Sequence, residues 1–92
     1  MEIEDDFYIF KFQNINLKLI KDSLINSLKK TNLDKEFVLA IKGKTNELII
    51  INFNLKFFTL TLSCNEFNIL LYLKENDKIT FLNNLKKIKK YL

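Results

Sequence analysis

Proline is absent from this chain and glycine occurs once, at Gly43, so no stretch of its 92 residues reads as a flexible linker between domains. The length is that of a single domain, residues 1–92. A chain this size buries roughly 60–65% of its unfolded surface, enough for one modest core. Its 48% apolar and 28% charged residues are a folding composition rather than a disordered one. Arginine never occurs, and all 15 basic residues are lysine. Asn, Ile, Leu, Phe and Tyr are also favoured, as codons of an A/T-rich genome would supply them. That bias weakens basic charge, asparagine and aromatic content as signals of function.

Hydrophobic periodicity places the elements. Phe7–Phe12 alternates as a strand, with Tyr8, Phe10 and Phe12 on one face and Phe7, Ile9 and Lys11 on the other. After a break with a cap candidate at Asn14 or Asn16, Leu17, Ile20, Leu24, Ile25 and Leu28 recur at helical spacing and predict a helix ending near Thr31. Phe37–Ile41 reads as a second strand and Gly43-Lys44-Thr45-Asn46 as a turn. Leu48–Phe53, apolar on both faces, reads as a central strand. Phe57–Leu62 reads as a fourth, with Phe58, Leu60 and Leu62 inward.

Ser63–Asp77 fits two patterns. Phe67, Ile69, Leu71 and Leu73 alternate as in a strand. The dominance of leucine and the capping-box order Ser63-Cys64-Asn65-Glu66 favour a helix. A last amphipathic helix follows Thr80, with Phe81, Leu82, Leu85, Ile88 and Leu92 on its apolar stripe. The expected fold is α+β: a small antiparallel sheet of three to four strands with helices packed on one face, in the order β-α-β-β-β-α-α.

Leu60 to Asn76 resembles the strand-to-first-helix entry of response-regulator winged-helix domains, through Leu60-Thr61, Glu66-Phe67 and the leucine-rich run after them. The resemblance implies a helix over this run. It does not make a family assignment, because the groove-reading helix and wing of those domains would have to follow Leu92.

Most chemistry is disfavoured. With no histidine and one cysteine, Cys64, zinc and iron–sulfur centres lack ligands and His-assisted nucleophiles cannot be assembled. Cys64 ahead of a helix start would be an activated thiol; as a small half-buried residue it is inert. Gly43-Lys44-Thr45 lacks the glycine of a phosphate loop five residues earlier, where Val38 stands. No catalytic, cofactor-binding or metal-ligating residue is therefore expected, and no enzyme.

Two surfaces remain. If Phe7, Tyr8, Ile9, Phe10 and Phe12 form an edge strand, they offer an interface to a protein partner or a second copy. Lys86, Lys87, Lys89 and Lys90 offer phosphate contacts to nucleic acid, of low sequence specificity without arginine. The expectation is a small interaction or assembly protein, self-associating or part of a larger complex, with accessory nucleic-acid binding as the alternative. A lone cysteine cannot form an intrachain disulfide, the acidic start does not read as an export leader, and no apolar run reaches membrane-spanning length. The reducing interior of a cell, the cytoplasm most simply, is the expected compartment.

Overall fold

The computed structural model describes residues 1–43 and 45–92. Two antiparallel sheets are joined by one helix and closed by another. The first sheet has the strands β1 (Glu2–Glu4), β2 (Phe7–Phe12) and β3 (Ile15–Ile20), in that order. Helix α1 (Lys21–Lys29) leads to the second sheet, β4 (Glu36–Lys42), β5 (Leu48–Asn54), β6 (Thr59–Cys64) and β7 (Phe67–Tyr72), and α2 (Glu75–Lys90) follows. The fold is α+β as expected, with two more strands before α1 and a strand where a helix was favoured.

The departures have local causes. Leu17 and Leu19 are buried on either side of Lys18, so the first turn of the expected helix satisfies a strand period equally well, and pairing with β2 decides for the strand. Residues 67–72 likewise pair with β6 across a two-residue turn in which Asn65 takes φ 53°. The helical preference of leucine yields there to the sheet ladder. The resemblance to a winged-helix entry fails at the same place. Phe58, which period two places inward, sits in the turn before β6 with φ 53° and is exposed, with Lys78 Nζ 3.1 Å from its ring centroid.

A chain with one glycine bends its backbone through other residues. Gln13, Asn46, Phe58 and Asn65 all take positive φ. Asparagine tolerates this region, whereas a bulky ring such as Phe58 does so at a cost. Gly43 sits where side chains crowd the backbone. A Cβ there would run into the Glu47 carboxylate and come within 2.8 Å of Ile49 Cδ1. The Gly43 N–H donates to the Glu47 carbonyl and the Asn46 N–H to the Gly43 carbonyl. The predicted turn falls here, although its Lys44 lies outside the described residues.

The core lies between the sheets. Phe10, Phe12, Leu17 and Leu19 face Phe37, Leu39, Ile41, Ile51, Phe53, Leu60 and Leu62, with Leu24 and Leu28 of α1 beside them. Phe81 of α2 stands at the centre. Its ring lies 5.5 Å from that of Phe10, 4.9 Å from Phe12, 5.5 Å from Phe53 and 6.5 Å from Phe37. Helix α2 starts five residues earlier than the expected cap at Thr80, with Glu75 and Asp77 in its first turn and Lys87, Lys89 and Lys90 in its last. Both charge sets complement the helix dipole. No helix among the described residues is long and apolar enough to cross a membrane.

A candidate interaction edge

A sheet edge carries unpaired backbone groups, and this fold treats its edges differently. Strand β1 is three residues long and exposed, with Glu2 and Glu4 ion-paired to Lys11 and Lys18. Short, charged strands of this kind discourage further pairing. The edge of β4 is covered in its C-terminal half by α1. Ser27 Oγ donates to the Ala40 carbonyl at 2.6 Å, and Ser23 Oγ accepts from the Lys42 N–H at 2.9 Å. Those serines lie four residues apart on one flank of α1, next to the buried Leu24 and Leu28. The helix that packs on the core therefore also satisfies the strand beside it.

The edge of β7 has no such cover. Phe67, Asn68, Ile69, Leu70 and Tyr72 are exposed, and the strand contains neither charge nor proline. Its ladder with β6 pairs Thr59 with Tyr72, and the next pair closes with the Leu73 N–H donating to the Phe58 carbonyl at 2.9 Å. Antiparallel alternation then turns the backbone groups of Phe67, Ile69 and Leu71 toward β6 and those of Asn68, Leu70 and Tyr72 away from it. The Tyr72 carbonyl accepts from Gln13 Nε2 at 3.1 Å. Among the described residues, nothing outside the sheet bonds the N–H and C=O of Asn68 and Leu70.

An apolar cleft of ≈ 180 Å³ opens beside this edge, lined by Ile15, Leu17, Ile49, Leu62, Cys64, Phe67 and Ile69. Phe67 is 74% exposed although it lies on the core-facing side of its strand. Neither helix reaches it, so the gap between the sheets stays open at this end.

The aromatic strand expected to bind a partner is mostly interior. Ile9, Phe10 and Phe12 are 4%, 2% and 1% exposed, and Phe7 and Tyr8 are half-buried. The reason is that β2 is the middle strand of its sheet, hydrogen-bonded to β1 on one side and β3 on the other. Ile9, Phe10 and Phe12 line a small cleft together with Met1, Glu2 and Phe81. The lysines divide. Lys86, Lys87 and Lys90 are exposed and make no ion pair among the described residues, whereas Lys89 is half-buried with its Nζ donating to the Thr31 carbonyl.

Cys64 is half-buried at the end of β6, opposite Phe67, and no helix start follows to activate it. Among the described residues no three acidic or thiol side chains converge on a metal site. Two carboxylates are perturbed, both at turns or edges. Hydrogen bonding from Lys11, and then its charge, holds Glu2 below its ordinary pKa; hydrogen bonding from the Thr45 hydroxyl does the same for Glu47. Glu2 is exposed and lines a small cleft with Phe10 and Phe12, and Glu47 is half-buried in its turn. No protein-family model, no curated protein sequence and no solved structure matches this chain.

Proposed function

We propose that this chain is a small, non-enzymatic interaction module that takes up an extended segment on the free edge of β7. One observation carries the reading. Helix α1 satisfies two backbone groups of the β4 edge through its serines and the β1 edge is short and charged, whereas the outer side of β7 is uncharged, largely apolar and unpaired. Strand addition draws affinity from main-chain hydrogen bonds and specificity from pockets that take alternate side chains. The cleft beside Phe67 and Ile69 is such a pocket. A half-buried free thiol at Cys64 suits a reducing compartment inside the cell.

A peptide copying Glu66–Lys74, titrated into isotope-labelled protein, tests the reading. The amides of Asn68 and Leu70 are expected to shift and to exchange more slowly. Unmoved amides at millimolar peptide overturn it.

A second reading is favoured by the three unpaired lysines at the end of α2, Lys86, Lys87 and Lys90, which suit phosphate contact. On that reading the chain is an accessory nucleic-acid binder of low specificity.

A further inference from the structure

We infer that the segment taken up by β7 is β7 of a second copy, paired antiparallel around a two-fold axis through Ile69. The inference rests on the strand-addition reading above and names its occupant.

Symmetry restricts the register. A two-fold axis normal to the sheet shows the same face of both copies, so paired residues must differ by an even number. The axes that keep most of β7 paired pass through Ile69 or Leu70. An axis at Leu70 pairs Asn68 with Tyr72 of the other copy at the centre of the seam and asks the Tyr72 carbonyl, which already accepts from Gln13 Nε2, to take a second hydrogen bond. An axis at Ile69 pairs Asn68 with Leu70 of the other copy, and Leu70 with Asn68. These are the residues whose backbone groups face outward and unbonded. Four main-chain hydrogen bonds form and no existing bond is broken.

Charge agrees with this orientation. Residues 67–73 are uncharged and bracketed by Glu66 and Lys74. Antiparallel pairing brings each Glu66 toward the Lys74 end of the other copy, whereas parallel pairing sets like charge beside like. With neutral strands in contact, the net +4 of each chain meets little repulsion at the seam.

Apolar surface agrees as well. On the core side Ile69 meets its own copy and Phe67 meets Leu71, so the two clefts join across the axis. Phe67 and Tyr72 are 74% and 69% exposed, which leaves roughly 300 Å² of aromatic side chain per copy. The part of these rings covered by the other copy, with Ile69, Leu70 and the strand backbone, places the contact in the small class below roughly 1,200 Å². The product is a continuous eight-stranded sheet whose outer edges are the two β4 strands, each partly covered by its own α1.

Light scattering across a concentration series, paired with cross-linking, tests this. Wild type is expected to rise from one copy to two before millimolar concentration is reached. Leu70→Lys, at an exposed position, should stay at one copy with an unchanged melting temperature. In a Cys64→Ser background under mild oxidant, Ile69→Cys should form a covalent dimer at least about tenfold faster than Leu70→Cys. Residues facing each other at the axis lie within disulfide reach, and diagonal ones do not. Faster cross-linking of Leu70→Cys overturns the register. A chain that stays monomeric to millimolar concentration yet binds the Glu66–Lys74 peptide overturns the second copy while the strand-addition reading survives. A monomer that also ignores the peptide overturns both.

Discussion

Replacing Phe81 by alanine is the sharpest test of how this core is held. The ring is 1% exposed and contacts four others, two from each sheet. Removing it withdraws roughly 150 Å² of apolar surface from burial, worth about 4 kcal/mol at 25 cal/mol per Å². Its edge-on contacts with Phe10 and Phe12 add about 0.5–1.5 kcal/mol each beyond area. Collapse of the cavity by movement of α2 offsets part of this, so a net loss of about 4–5 kcal/mol is expected. A domain of this length holds roughly 5–14 kcal/mol in all, so Phe81→Ala should be marginal or unfolded at room temperature. Phe81→Leu keeps most of the volume and should lose only about 1–2 kcal/mol. Urea unfolding followed by far-UV circular dichroism measures both. An alanine variant that loses less than about 2 kcal/mol with an unchanged denaturant slope would refute Phe81 as the ring that joins the two sheets.

Three further outcomes are expected. Ser23→Ala with Ser27→Ala removes both hydrogen bonds to β4, costs about 1 kcal/mol after the helix propensity of alanine is credited, and should speed exchange of the Lys42 amide selectively. An unchanged Lys42 rate would mean the serines do not close that edge. Thr45→Val should return the lowered pKa of Glu47 toward its ordinary value in a carboxyl NMR titration. Because the folded value is depressed, the stabilisation exists above the unfolded pKa and is lost as pH falls through the folded one. Thr45→Val should flatten that acid limb, and an unmoved Glu47 titration would remove the hydroxyl as the cause. If the lysines of α2 meet phosphate, affinity for random duplex DNA should fall with a log–log salt slope of about −3, and Lys86→Gln with Lys87→Gln should bring it near −1. A flat salt dependence removes the nucleic-acid reading.

Periodicity placed most of the fold. Phe7–Phe12 and the runs around Phe37–Ile41 and Leu48–Phe53 alternate cleanly and are strands β2, β4 and β5. The stripe of Phe81, Leu85 and Ile88 is the buried face of α2. The residues that satisfy two periods at once were not legible. Leu17 and Leu19 alternate, yet Leu17, Ile20 and Leu24 also step like a helix. Only pairing with Tyr8 and Phe10 across the hairpin separates the two. Asn65 marks the turn into β7, but in a chain this rich in asparagine the signal carries little weight. The burial of Ile9, Phe10 and Phe12 has a related cause. An aromatic strand is an edge or a centre according to its neighbours, and here Glu2–Glu4 and Ile15–Ile20 flank it on both sides. The serines at 23 and 27, and the charge-free run between Glu66 and Lys74, are visible in the sequence. They acquire meaning only once an edge lies beside them.

The position of Phe81 also bears on how the chain is made. Every strand of both sheets precedes it, so during vectorial synthesis the seven strands emerge before the ring that bridges them. Until residues 75–90 clear the ribosome, Phe10, Phe12, Phe37 and Phe53 lack their shared partner, and two greasy half-cores are held apart on one nascent chain. A domain whose keystone arrives last completes its core in one late step. Early release or stalling before α2 would leave a sticky intermediate, a natural substrate for chaperones that bind exposed aromatic strands.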